Sequence, residues 1–114
     1  MRISVQREGG VLGMRWAARV SDDAVKVSVN GVESEPQPLS SGQRDRLKSL
    51  VDQVVEAPIP KRAPKYSVAD GLQTLLEVQK DGRRRRLRLY SGAKAADEIW
   101  ELIGTVSEVA RPTG

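Results

Sequence analysis

The sequence predicts an α+β fold: an antiparallel sheet of four to six strands with two helices packed on one face, in the order β-β-(β-β)-α-β-β-α. Three observations predict it. Apolar residues alternate with polar ones in several short segments, glycine-containing turn signals separate those segments, and two further stretches repeat their apolar residues at intervals of three and four. At 114 residues the chain amounts to a single domain, 1–114.

The opening MRISVQR places Met1, Ile3 and Val5 on one side and Arg2, Ser4 and Gln6 on the other, the two-residue period of a half-buried strand. Glu8-Gly9-Gly10 then offers the backbone freedom of a reversal. Leu12, Met14, Trp16, Ala18 and Val20 share one face of a second strand, with Arg15 and Arg19 opposite, so residues 1–20 read as a β-hairpin. Val25, Val27 and Val29 make a third strand. Asn30-Gly31 is a type I′ turn signal, Val32-Glu33 begins a return, and Pro36 and Pro38 are expected to end it.

Ser40 and Gln43 have the spacing of a capping box, and Leu47, Leu50, Val51, Val54 and Val55 form the stripe of an amphipathic helix that Pro58 and Pro60 close. A long proline-containing loop follows, through Tyr66 to Asp70. Leu72, Thr74, Leu76 and Val78 then share a strand face, Lys80-Asp81-Gly82 makes a hairpin connection, and Leu87 and Leu89 face inward while Arg86 and Arg88 face water. Ile99, Leu102, Ile103, Val106 and one of Val109 or Ala110 line the second helix. Trp16 and Trp100 are expected to pack rather than to contact a partner.

Composition removes much chemistry. With no His and no Cys, the chain has no Ser-His-Asp triad, no cysteine nucleophile, no disulfide and no ordinary zinc site. The expectation is therefore no enzyme, no catalytic residues, no cofactor and no metal. Asp97, Glu98 and Glu101 fall near a helix start, where carboxylates suit the dipole. Residues 1–7 alternate polar and apolar side chains, as neither a secretory signal nor a membrane span does. A cytoplasmic location without membrane contact is expected, and a monomer when free.

Charge is uneven along the chain. Its first half is balanced, and the whole formal excess of +4 comes from the second. Arg83, Arg84, Arg85 and Arg86, with Arg88 just beyond, are the most basic run. A patch between Lys61 and Arg88 suits a nucleic-acid backbone or an acidic protein surface, and equally an edge strand guarded by charge.

The opening MRISVQREGGVLGMRW resembles the start of the protealysin-inhibitor (emfourin) family, through Met1, Arg2, Ile3, Arg7, Gly9, Gly10 and Gly13. The likeness continues at the level of pattern through the leucine-rich helix, Asp70, the hairpin LLEVQKDGRRRRLRLYSG and the closing helix. Val11 stands where an aromatic is usual and Thr74 where a tyrosine is common. The stretch from Val25 to Pro38 looks like an added hairpin. The resemblance implies a protein inhibitor of a thermolysin-like metalloprotease, working through protein–protein interaction. Lacking imidazole and thiolate ligands, this chain would act by filling the substrate cleft rather than by binding the zinc. On that reading Glu8, Gly9, Gly10, Val11 and Leu12 contact the protease, the loop at Tyr66 adds a second contact, and Arg83, Arg84, Arg85 and Arg86 steer the encounter. The alternative is a module that binds nucleic acid or an acidic partner through the patch between Lys61 and Arg88.

Overall fold

A computed structural model describes residues 1–9, 14–57, 73–90 and 97–110. Its elements are β1 (Arg2–Gly9), β2 (Met14–Val20), β3 (Ala24–Val29), β4 (Val32–Glu33), β5 (Gln37–Pro38), α1 (Ser41–Glu56), β6 (Gln73–Lys80), β7 (Arg83–Tyr90) and α2 (Asp97–Val109). The strands form one antiparallel sheet in the order β4-β3-β2-β1-β6-β7, with β5 also pairing with β3. The α+β class is the one predicted.

The sheet has seven strands, one more than expected. The extra strand is β5, where Gln37 and Pro38 pair with Val25 and Ala24. Proline has no N–H to give to a ladder, but a strand with an open side needs none there. The first strand also runs further than predicted. Glu8 and Gly9 pair with Arg15 and Met14 instead of turning, and residues 10–13 between them lie outside the described residues.

Alternation decides which face is covered. Ile3 and Val5 of β1, Ala18 and Val20 of β2, Val25 of β3, Leu76 and Val78 of β6, and Leu87 and Leu89 of β7 are all buried on one side. Both helices pack there: Leu47, Leu50, Val51 and Val54 from α1 meet Ile99, Leu102, Ile103 and Val106 from α2. Trp100, predicted to pack, is instead 36 % exposed, because it lies on the flank of that α2 stripe. No described element covers the opposite face of the sheet.

Local signals hold the elements in place. The Ser40 hydroxyl accepts from the Gln43 N–H at 3.2 Å, and the Gln43 side chain accepts from the Ser40 N–H at 3.0 Å, completing the predicted capping box. Asn30 and Gly31, and likewise Asp81 and Gly82, have positive φ, as type I′ hairpin turns require. The predicted proline loop and Tyr66 lie outside the described residues.

Candidate functional site

The predicted contact residues cluster on the first hairpin. Its ladder is paired without interruption from Ile3 opposite Val20 to Gly9 opposite Met14. Neither strand is at an edge, since β1 also pairs with β6 and β2 with β3. Both sides of the stem are therefore hydrogen-bonded to neighbours, and its inner side chains sit in the core. A stem held on three sides loses little freedom when something binds its end. Glu8 is exposed on the bare face of the sheet, between Arg15 and Gln73 in register. Gly9 has φ +119°, a conformation that favours glycine. Gly10, Val11 and Leu12 lie in the segment the stem carries, outside the described residues.

On the helix side of the sheet, one cross-strand row approaches that end. It runs Leu89, Thr74, Arg7, Trp16, Val29 and Val32. Leu89 and Thr74 are buried; Trp16 is partly buried against the core, with the Arg7 guanidinium 5.6 Å from its ring centroid. Val29 is 42 % and Val32 74 % exposed, because the helices do not reach the β3–β4 end of the row. The Asn30 side chain accepts from the Arg15 N–H at 3.0 Å, and the Asn30 N–H donates to the Arg15 carbonyl at 2.8 Å, fixing the Asn30-Gly31 turn to β2. The residues from Val25 to Pro38 thus build a shoulder beside the first hairpin. Sequence pattern marked them as strands but not as its neighbours in space.

The basic run is divided rather than concentrated. Arg83 lies 3.4 Å from Asp52 and 3.5 Å from Glu56 on α1, and Lys80 reaches the other oxygen of Asp52 at 2.7 Å. The Lys80 ammonium beside Asp52 holds its carboxyl below the usual range. Arg84 and Arg86 share Glu77 at 2.7 and 3.2 Å. Arg85 faces the other way from Arg84 and Arg86 and donates to the carbonyls of Val54 and Ala57, at the end of α1. That helix has no basic residue of its own in its last turn; Arg85 gives the Ala57 carbonyl a donor and adds a second to Val54, which already accepts the Ala57 N–H at 3.2 Å. Period-two alternation sends Arg83 and Arg85 to the helix side, and Arg84 and Arg86 to the opposite face.

No protein-family profile, curated protein or solved structure matches the chain. Among the described residues, no three His, Cys, Asp or Glu side chains come together as a metal site would need. No helix is long and apolar enough to cross a membrane.

Sheet order also assembles cations that the sequence scattered. Opposite the helices, β7 contributes Arg84, Arg86 and Arg88, β2 contributes Arg15 and Arg19, β1 contributes Arg2 and β3 contributes Lys26. The carboxylates on that face are Glu8, Glu33 and Glu77. Lys26 and Glu33 pair at 2.9 Å, and the lysine draws the Glu33 carboxyl below its ordinary value.

Proposed function

We propose that this protein inhibits a thermolysin-like metalloprotease by occluding its substrate cleft, acting as a binding protein rather than an enzyme. The observation that carries the reading is the first hairpin: a stem in mid-sheet, paired in register as far as Gly9 and Met14, presenting the segment that holds Val11 and Leu12. A peptide that enters a protease cleft as a stiff loop binds with little ordering cost and is cut poorly, because hydrolysis needs the backbone to deform.

Glu8, Gly9 and Gly10 hold the approach, Val11 and Leu12 supply apolar anchors, and Tyr66 gives a second contact. Val29, Val32 and Trp16 widen the apolar contact at the same end. Arg84 and Arg86 remain exposed and favour encounter with an acidic enzyme, joined by Arg83 at the sheet edge. Arg85 acts through α1 instead. The chain has neither His nor Cys, so zinc is left to the protease's own ligands.

The test is titration of thermolysin-type proteases with the purified protein, alongside the double variant Val11→Ser/Leu12→Ser. The reading predicts loss of activity near one equivalent for the wild type. For the variant it predicts an inhibition constant weakened about tenfold to a hundredfold, the scale of losing two apolar anchors. Full protease activity at excess inhibitor across a panel of such enzymes overturns it.

A further inference from the structure

We propose that the bare face of the sheet is a second binding surface, one that holds double-stranded nucleic acid by its phosphodiester backbone without reading its bases. The surface borders the hairpin end proposed to enter a protease, since Glu8 lies beside Arg15 on the same face, and it uses residues from strands far apart in sequence.

Three observations favour this. The first is unspent charge. Arg84 and Arg86 are engaged with Glu77, and Lys26 with Glu33. Arg2, Arg15, Arg19 and Arg88 are exposed on the same face and make no ion pair among the described residues. These four come from β1, β2 and β7, and three inter-strand steps separate β2 from β7. At strand spacing the patch is about 14 Å across, and Arg15 to Arg19 extends it about 13 Å along β2. A duplex carries one charge per about 1.7 Å of its axis, so such a footprint meets more phosphates than it has free arginines.

The second observation is what the face lacks. Protein interfaces centre on buried apolar or aromatic anchors. The apolar side chains on the described part of this face are Leu75, the small Ala17 and Ala24, and, at its β3 edge, Pro36 and Pro38, none of them a large or aromatic anchor. An acidic protein would find charge here without an anchor, whereas a phosphate backbone needs none. The patch is about as wide across the strands as it is long, which suits the breadth of a duplex better than a single strand tracked along a groove.

The third is the donor type. All four unpaired cations are arginines, whose planar guanidinium matches two phosphate oxygens at once. The concavity lined by Ser4, Gln6, Leu75, Glu77, Arg86 and Arg88 contains a carboxylate that two arginines already neutralise. It therefore does not repel a backbone lying across it.

Fluorescence anisotropy with a labelled 20-bp DNA duplex and the intact protein tests the proposal. With four phosphate contacts, the logarithm of affinity should fall with the logarithm of salt at a slope of about −3.6, or about a hundredfold between 50 and 200 mM. Replacing Arg2, Arg15, Arg19 and Arg88 together by Ser should abolish both binding and slope. Should that variant not fold by circular dichroism, Arg19→Ser and Arg88→Ser singly should each reduce the slope by about 0.9. Arg46→Ser, on the helix side and paired with Glu101, should change neither. The proposal is overturned by absence of binding at 50 mM salt, by equal loss in Arg46→Ser, or by arginine variants that bind as the wild type does. Displacement of the duplex by polyglutamate at equal charge would assign the face to acidic proteins, and tighter binding of a single strand would refute the choice of duplex.

Discussion

The two long hairpins of this molecule, β1–β2 and β6–β7, have ladders of nearly equal length and opposite fates. The first lies inside the sheet, flanked on both sides, and its far end carries the residues proposed to meet a protease. The second ends at an edge, and its arginines from Arg83 to Arg86 are bound to α1 and to Glu77. A strand in mid-sheet gains rigidity from its neighbours' hydrogen bonds. An edge strand has an open side, which charge both guards and ties down. The more conspicuous sequence feature, the arginine run, thus serves largely to hold the scaffold together, while the quieter glycine-containing hairpin is the better candidate for contact.

The largest perturbation should come where the two hairpins meet. Leu76 is buried, opposite Val5 on one side and Leu87 on the other. Leu76→Ala should lower unfolding stability by about 2–4 kcal/mol in urea titration, because transfer and cavity costs add. A loss confined to one hairpin, seen by residue-resolved exchange, would show that they fold as separate units. Next comes Arg85→Ala, which leaves the Val54 and Ala57 carbonyls without that donor. A cost of about 1–3 kcal/mol is expected, against less than about 0.5 kcal/mol for the exposed Arg88→Ala. Equal effects from the two would remove the distinction drawn within the basic run.

Gly82→Ala probes the turn of the second hairpin. Nothing lies within 4 Å of an added Cβ, so only the φ of +76° opposes it. About 1 kcal/mol of destabilisation should follow, read from the same titration. The smallest effect concerns pH. Asp52 is held below its ordinary value, chiefly by the hydrogen bond from Lys80. Its contribution is complete above the unfolded-state value of about 3.9 and is lost as pH falls through the lower folded value. Asp52→Asn should therefore narrow the difference in stability between pH 7 and pH 3, and only slightly, since the group is well exposed to solvent.

Most of the fold could be read from local pattern because its signals are local. The alternation in MRISVQR, the Ser40–Gln43 box and the Asn30-Gly31 and Asp81-Gly82 turns each fix a short stretch by sterics and nearby hydrogen bonds. What escaped depended on how the elements come together. That Pro38 joins β3 and that Arg85 reaches the end of α1 depend on packing between elements, and that Arg2, Arg19 and Arg88 share a face follows only once β1 is placed between β2 and β6. Of the proposed contacts, Glu8 and Gly9 fall within the described residues, and both proved to belong to the strand rather than the turn. The sheet pairs them because Arg15 and Met14 remain in register beyond the point where two glycines suggested a break.

Amide hydrogen exchange of the free protein tests most directly whether the hairpin stem is preorganised. The hydrogen-bonded amides of β1 and β2, from Ile3 through Arg7 and from Trp16 through Val20, should exchange only as slowly as global unfolding allows. Exchange within seconds along that stretch, with protection appearing only after a protease is added, would mean that the loop is ordered by its target, contradicting inhibition by a rigid plug.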